Sequence, residues 1–428
     1  MHGGAERDLE APVKLTSLAG SIPIENSVLT KPLRMPEFIA LCSLITSLTA
    51  FSIDAMLPAL GAIDRALGVS DVRNTQLIVS MFILGMAIGE LFFGPLSDAI
   101  GRKKALLTGL VIYSAGAIIA MSAGSIEQIV AGRIVQGIGA AGPKIASRAL
   151  IRDLYKGDAM ARIMSFIFMV FVLVPMFAPF LGQLVLQVSG WRTIFGLFLV
   201  SAVLIASWLG LRQPETLPPE RRIPFSIGPL ARNAALIARH SRVMAATLAA
   251  GFVFGAFLHF LSTAQTLFND LYQAGSRFPL YFALLSLSIG GASFSNSQLV
   301  MRFGMARLST AALVGMILLS TVLLVVSLAY DGEPPFAAFM ALCFLTFFCF
   351  GVLFGNLNAM AMQWLGRVAG LGASMIASVS SLLAVVFSFS VGRFYDGTAA
   401  PLAAGFMIAG CVALVLILKA ERREAVEV

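Results

Sequence analysis

The chain has 428 residues, of which 58% are hydrophobic and only 12% are charged, and its net charge is +8. Soluble domains carry roughly 25% charged residues, and this chain has too few to cover its apolar surface. The composition therefore excludes a soluble globular protein, and the mean hydropathy of +0.89 predicts one that is largely embedded in a membrane.

Residues 1–36 combine both charge signs with proline and glycine and have no apolar core, so we expect a mostly disordered cytosolic tail without a cleaved signal. From Glu37 to Lys419 the chain contains twelve apolar stretches, each long enough for a membrane helix of about 20 residues. They lack the alternation of polar and apolar residues that is typical of β-barrel strands, which leaves helices as the spanning structure. The predicted helices 1 to 12 cover residues 37–60, 74–96, 105–124, 128–150, 160–186, 192–211, 241–268, 277–300, 307–330, 335–360, 368–394 and 400–419.

Most of the 30 Lys and Arg residues fall in the connections on the side that holds both termini. Since cytosolic loops are enriched in these residues, both termini are predicted to be cytosolic. The basic residues are spread over short loops and do not cluster with aromatics, so membrane lipids are expected partners and nucleic acid is not. The four cysteines lie in apolar runs without metal-ligand spacing, so no metal site and no disulfide are expected.

Four charged residues lie deep within predicted helices 1, 2 and 4, away from the helix ends, namely Asp54, Glu90, Arg133 and Lys144. Each costs about 2.5–3.5 kcal/mol to insert and so marks a candidate functional site. A rise of about 1.5 Å per residue places Asp54 level with Arg133, and Glu90 level with Lys144 nearer the cytosol.

Our hypothesis for the first pair is that Asp54 takes up and releases a coupling proton beside Arg133, with Gln136 as a neutral hydrogen-bonding partner. A permanent structural ion pair is the alternative. Glu90 and Lys144 are interpreted as a second titrating site, a contact for a charged substrate, or a buried structural bridge.

The turn between predicted helices 2 and 3 reads Gly94-Pro-Leu-Ser97-Asp98-Ala-Ile-Gly101-Arg102-Lys103-Lys104. Its glycines permit close approach and a tight backbone. The Asp98 carboxylate is suited to the positive N-terminal end of a helix, and Arg102 is expected to meet Asp153 at the inner end of helix 4. We interpret Asp98 as a switch element, against the alternative of an ordinary basic loop with incidental charges.

Helix 5 contains Pro175 and the sequence Ala178-Pro179-Phe-Leu-Gly182. Its prolines each remove a backbone donor and its glycine permits close packing, so we expect a kinked helix pressed against the other half of the protein. Proline is also common in ordinary membrane helices, which is the alternative.

Residues 212–240 contain five prolines and several arginines and divide six helices from six. A partly matching turn follows helix 8. It reads Leu299-Val-Met-Arg-Phe-Gly304-Met305-Ala306 and keeps the leucine and glycine positions of Leu96-Ser-Asp-Ala-Ile-Gly101-Arg102-Lys103. We therefore predict two six-helix bundles, 37–211 and 241–419, joined by the linker 212–240 and followed by a cytosolic tail, 420–428. Candidate cavity residues in the second bundle are His259, Gln265, Asn356 and Asn358, and for His259 a hydrogen-bonded packing role is the alternative.

On these motifs the chain resembles the major facilitator superfamily and, within it, the Bcr/CflA branch of proton-coupled drug exporters. The similarity rests on the turn after helix 2, the helix 5 motif, Asp54-Ala-Met-Leu-Pro58-Ala-Leu in helix 1 and Gly132-Arg133-Ile-Val-Gln136-Gly137 in helix 4. It implies twelve helices in two pseudo-symmetric bundles, and export in preference to import. It also implies a latch between Asp98 and the start of helix 11 near Val368-Ala-Gly370-Leu-Gly372.

No phosphate-binding loop is present, so we expect an ion gradient to supply the energy, with no cofactor. The prediction is a monomeric proton-coupled antiporter in a bacterial inner membrane that exports small amphipathic drugs. A dedicated metabolite or siderophore exporter, or less readily an importer, is the alternative on this scaffold. A polytopic membrane enzyme would need clustered His, Asp, Glu or Cys in its loops, which the sequence lacks.

Overall fold

The computed structural model describes residues 33–68, 72–155, 157–225, 228, 235, 237–363 and 369–427. These residues contain twelve long helices and no β-strand. Helix α1 spans Met35–Leu67 and is interrupted after Asp54 by a 3-10 turn at Leu57–Ala59. The others are α2 (Val72–Ile100), α3 (Arg102–Met121), α4 (Ile126–Leu154), α5 (Gly157–Ser189), α6 (Arg192–Arg212), α7 (Ser241–Tyr272), α8 (Phe278–Phe303), α9 (Met305–Ala329), α10 (Phe336–Met362), α11 (Ala369–Gly392) and α12 (Ala400–Glu427).

Within the described residues, 11 helices are long and apolar enough to cross a membrane, and α4 is the exception. Helix α4 has the length but is less apolar, since Arg133, Gln136 and Lys144 lie along it. The predicted fold has twelve membrane-crossing helices. Because this number is even, the start of α1 and the end of α12 lie on the same side of the membrane. We call that side the terminal face and the other side the opposite face.

The helices pack as two six-helix bundles, α1–α6 and α7–α12. Across the boundary between them, α2 packs against α11 and α5 packs against α8. Toward the terminal face the Ser378 hydroxyl donates to the carbonyl of Ala87 at 2.7 Å. Toward the opposite face the hydroxyl oxygens of Ser80 and Ser262 lie 3.2 Å apart. Helix α2 therefore touches the second bundle along most of its length.

Small residues set the spacing of the helices inside the first bundle. A Cβ on Gly137 of α4 would lie 2.0 Å from the Phe82 carbonyl oxygen of α2. Only glycine permits this approach, which matters in lipid because association there depends on close packing. The close contact brings the charged residues of α2 and α4 within reach of one another.

Two helix ends differ from the sequence prediction by more than four residues. Helix α1 continues past residue 60 to Leu67, and α12 continues past residue 419 to Glu427, so residues 420–427 of the expected tail are helical. The apolar stretch ends near Lys419, but the following Ala, Glu and Arg are strong helix formers that extend the helix beyond it. Residues 1–32 of the expected N-terminal tail lie outside the described residues.

Candidate functional site

Asp54 lies at the break in α1, where the first α-helical segment ends. Its side chain is buried, with 4% of the residue exposed, and it makes no hydrogen bond or ion pair with any residue that the structure describes. Helix α5 closes over this point, because a Cβ on Gly182 would lie 2.0 Å from the carbonyl oxygen of Ala55. An ionised carboxylate in this setting carries a desolvation cost of several kcal/mol, which binding of a proton removes.

Arg133 is fully buried, and its guanidinium group is bound by neutral acceptors. It donates to the backbone carbonyls of Ile78 at 3.0 Å and Ser52 at 3.1 Å, and to Gln136 Oε1 at 2.7 Å. It also lies 4.2 Å from the centre of the Phe82 ring, in cation–π geometry. These contacts give each guanidinium nitrogen one acceptor without supplying a counter-charge.

The structure does not bring Arg133 and Asp54 into an ion pair. They are nevertheless close along α1, because the carbonyl that accepts from Arg133 belongs to Ser52, two residues before Asp54. The Ser52 hydroxyl in turn lies 2.5 Å from the Tyr113 hydroxyl of α3. The region thus has a buried acid and a buried base that have no charged partner in the described part of the chain.

Glu90 and Lys144 form an ion pair in the half of the first bundle nearer the terminal face. Lys144 Nζ lies 2.5 Å from Glu90 Oε1, and the Glu90 side chain is fully buried whereas that of Lys144 is 25% exposed. The other carboxylate oxygen of Glu90 accepts from Ser381 of α11 at 3.4 Å. The pair therefore links α2 and α4 to the second bundle.

The turn between α2 and α3 is organised around Arg102. Its Nη1 donates to Asp98 at 2.5 Å and to Ser97 at 2.9 Å, and its Nε donates to Asp153 of α4 at 2.9 Å. The Asp98 side chain is bound here, and 41% of it is exposed. The expected latch between Asp98 and the start of α11 concerns residues near Val368, and residues 364–368 lie outside the described residues.

Glu215, which the sequence analysis missed, completes this turn. Its carboxylate accepts from the backbone N–H groups of Arg102 at 2.8 Å and Lys103 at 3.2 Å, so it caps the N-terminus of α3. Gly101 has φ 102°, and a Cβ there would lie 2.3 Å from Glu215 Oε2, so the turn requires glycine.

Other contacts attach the segment after α6 to the same turn. The Lys103 ammonium donates to the Gly210 carbonyl at 2.7 Å, and the N–H of Ile223 donates to the Asp98 carbonyl at 3.1 Å. The sequence feature that could have identified Glu215 is its position directly after Pro214, just past the end of α6.

Gly94 lies where the turn region packs closely against the second bundle. A Cβ on Gly94 would lie 2.4 Å from the hydroxyl oxygen of Ser374 in α11. Ser374, Ser378 and Ser381 are spaced at one helical turn, a polar face that the sequence analysis overlooked. All three are buried, and together they line the contact of α11 with α2.

Gly182 of the helix 5 motif packs against α1 of its own bundle. Ala178 and Pro179 are buried as well, whereas Pro175 is half-buried. Elsewhere α5 does pack against α8 of the second bundle. The glycine therefore serves the packing of α1 beside Asp54.

The candidates in the second bundle occupy different environments. Asn356 is buried and exchanges two hydrogen bonds of 2.9 Å with Asn296 of α8, so it packs inside its own bundle. Asn358 is exposed and donates to its own helix at Phe354. Gln265 lies beside α1, 3.2 Å from a Cβ built on Gly61.

His259 is buried, and both of its ring nitrogens lack a hydrogen-bond partner among the described residues. It packs beside Gly392 and Gly405, with the ring 3.9 and 3.7 Å from a Cβ built on each. No group of three His, Cys, Asp or Glu in the described part of the chain is arranged to hold a metal ion.

Comparisons with known proteins agree with this architecture. The Major Facilitator Superfamily profile matches residues 40–388. The chain is 30% identical over 381 residues to a bicyclomycin resistance protein homolog of Haemophilus influenzae, covering 88% of this chain and 94% of the relative. It is 28% identical over 162 residues to multidrug resistance protein D of Escherichia coli, covering 38% and 41%.

Among solved structures, a D-xylose-proton symporter superposes with a TM-score of 0.73 at 15% identity, covering 90% of this chain and 97% of the symporter. At that identity the likeness concerns the fold alone.

Proposed function

Because this chain belongs to the major facilitator superfamily, and is thus a multi-pass membrane transporter and not an enzyme, we propose that it exports small amphipathic drugs in exchange for protons. Resistance proteins among its relatives support the class of substrate. In this proposal the terminal face is cytosolic, the membrane is a bacterial inner membrane, and the protein works as a monomer.

The observation that carries the proposal is the isolation of Asp54. A buried carboxyl group with no described partner avoids a large desolvation cost by binding a proton. The same group becomes accessible to water when the bundles rock, and it then releases the proton on that side. Binding and release are thereby tied to which face is open, which is the requirement for coupling by alternating access.

Arg133 is proposed to favour the release of the proton. In the arrangement described here its donors are bound by the carbonyls of Ser52 and Ile78 and by Gln136. A shift of α1 by a few ångströms would break the Ser52 bond and offer Asp54 as a charged acceptor in its place. Charge-assisted hydrogen bonds are about twice as strong as neutral ones, so ionised Asp54 would compete well for Arg133.

The remaining candidates are proposed to act around this pair. Glu90 and Lys144 bridge α2, α4 and α11 and so respond to bundle movement. Arg102 with Asp98 and Asp153 holds the turn between α2 and α3, and Gly94 brings that turn onto α11. Gln136, His259, Gln265 and Asn358 are proposed as contacts for the substrate, whereas Asn356 is proposed to stabilise the second bundle.

The experiment is drug-dependent proton flux in proteoliposomes, measured for the native chain and for Asp54→Asn. We expect the variant to bind drug but to lose drug-induced proton release, because the amide cannot exchange a proton. Asp64→Asn is the matched control, since Asp64 lies in the same helix and is bonded to Thr75 near the opposite face. Normal proton coupling in Asp54→Asn would remove this residue from the role.

A further inference from the structure

Two basic side chains, Lys144 and Arg148, lie one turn apart on α4 in the half nearer the terminal face. Residues four apart on a helix are neighbours, so the two side chains can reach one common group. The Lys144 ammonium contacts Glu90 of α2, and the same carboxylate accepts from Ser381 of α11. Lys144 therefore lies at the boundary between the two bundles.

Arg148 carries a charge that has no bonded partner. Its side chain is exposed, and it makes no hydrogen bond or ion pair with any residue that the structure describes. Beyond ion-pair distance it interacts electrostatically with Glu90. The charge of Arg148 therefore acts on the same acid as that of Lys144, while its N–H donors stay open to a ligand.

Lys144 also keeps a donor for a ligand. An ammonium group has three N–H donors. One is directed to Glu90 at 2.5 Å and a second to the Met86 sulfur, a weak acceptor, at 3.9 Å. The described part of the chain offers no acceptor for the third donor, and the Lys144 side chain is 25% exposed.

The balance of charge indicates the sign of that ligand. Among the described residues, the single carboxylate of Glu90 is shared by two cations, Lys144 and Arg148. A charge without a counter-charge is costly within the membrane, and an acidic group between the two cations would remove the cost.

A polar group of α11 lies at the same level. Ser374 packs beside Gly94, one turn past Glu90 in α2. Arg148 is likewise one turn past Lys144 in α4, which runs in the same direction as α2. The Ser374 hydroxyl is buried and has no hydrogen-bond partner among the described residues, so it too can donate to a bound group.

We propose that Lys144 and Arg148 bind the acidic group of the substrate, so that the exported amphipathic compounds are preferentially carboxylates and sulfonates. This inference rests on the proposed function, because it names the substrate class of the same transporter. Each cation offers the substrate a charge-assisted hydrogen bond, about twice as strong as a neutral one. Because α11 belongs to the second bundle, the site is complete only when α11 lies against α2.

The test measures equilibrium binding of two dyes to the purified full chain in an uncharged detergent, by fluorescence polarisation. Fluorescein is an anion and tetramethylrhodamine methyl ester is a cation, and both contain the xanthene ring system. We expect the native chain to bind fluorescein at least tenfold more tightly than the cationic dye. Arg148→Gln should weaken fluorescein binding roughly tenfold, the loss that corresponds to one charge-assisted hydrogen bond, and should leave binding of the cationic dye unchanged.

Two further variants separate this role from a structural one. Arg152→Gln is the matched control, since Arg152 is an exposed arginine one turn further along α4 and is rotated about 80° from Lys144. It should leave fluorescein binding unchanged. Arg148→Lys keeps the charge and should keep most of the preference for fluorescein. Arg148→Gln should unfold at the native temperature, because it removes no bond to a described residue.

Several outcomes would overturn the proposal. They are a native chain that binds the cationic dye as tightly as fluorescein, a fluorescein affinity unchanged by Arg148→Gln, and an equal loss in Arg152→Gln or Arg148→Lys. Phosphatidylglycerol that displaces fluorescein at equal concentration would also overturn it, because the occupant would then be a lipid headgroup.

This binding assay needs no proton gradient, so it is unaffected by the outcome for Asp54. Conversely, proton flux that is driven by the cationic dye, in a chain that does not bind fluorescein, would sink this inference and leave the proposed function standing.

Discussion

Glu90 and Lys144 differ in burial, and this difference predicts an asymmetry between their variants. Removing Lys144 leaves a carboxylate with no exposed surface, whereas removing Glu90 leaves an ammonium group that is 25% exposed. Loss of one partner from a buried pair costs about 3–5 kcal/mol, and solvent reduces that cost for the more exposed partner.

We therefore expect Lys144→Met to lower the unfolding temperature in detergent more than Glu90→Gln does. The double variant should recover part of the loss, because no lone charge remains. Equal destabilisation by the two single variants would contradict this reasoning.

Glu215 is expected to matter for both stability and transport, because it caps α3 next to the Arg102 cluster. We predict that Glu215→Gln destabilises the fold by about 0.5–2 kcal/mol, the usual size of a lost helix cap. It should also slow transport, since the turn loses one of its attachments. Thermal unfolding and drug export measure the two effects. Glu220 is an exposed acid in the same segment, so Glu220→Gln is the control. It should change neither thermal unfolding nor drug export.

At the scale of helices, the contact of α1 with α5 depends on Gly182. Its missing side chain lets α5 approach the α1 backbone at Ala55, directly beside Asp54. We expect Gly182→Ala to force the two helices apart and to cost about 1–3 kcal/mol, as overpacking does elsewhere. Drug-induced proton flux should also be lower in this variant.

Gly196→Ala in α6 is the matched control for Gly182→Ala. The nearest atom to a Cβ on Gly196 is Met121 Sδ at 3.7 Å, an ordinary contact distance. A flux that is lowered equally in both variants would point to a general effect of the added methyl group and away from the α1–α5 contact.

At the scale of the whole molecule, alternating access requires the two bundles to move against each other. Gly94→Cys with Ser374→Cys joins α2 to α11 near the terminal face, and Ser80→Cys with Ser262→Cys joins α2 to α7 near the opposite face. In a Cys411→Ser background, we expect either disulfide to stop drug export and reduction to restore it. Both pairs are close enough for a disulfide in the arrangement described.

A disulfide within one bundle is the control for this experiment. A Cβ on Gly315 of α9 would lie 3.3 Å from the sulfur of Cys349 in α10, so Gly315→Cys should form a disulfide with the native Cys349. Export should continue in this variant. Continued export with either inter-bundle disulfide formed would count against rocking of the bundles.

Several features follow from the sequence because they depend on local composition or on the cost of burying charge. Twelve spans, their order and the pseudo-repeat are read from apolar length and spacing, since a spanning helix satisfies its own backbone in lipid. Glu90 and Lys144 were placed at one level by residue counting alone, and the structure puts their charged atoms 2.5 Å apart. Arg102 was expected from the charges of its turn to meet Asp153, and the structure places the two side chains 2.9 Å apart.

Tertiary structure alone decides which partner a polar group takes, because side chains with the same depth can face different neighbours. Arg133 binds the carbonyls of Ser52 and Ile78 in place of the carboxylate of Asp54. Glu215 reaches α3 across more than a hundred residues of sequence, and the serines of α11 meet α2 only once two bundles are packed. Such contacts depend on helix rotation and on long-range packing, which residue spacing along one helix does not fix.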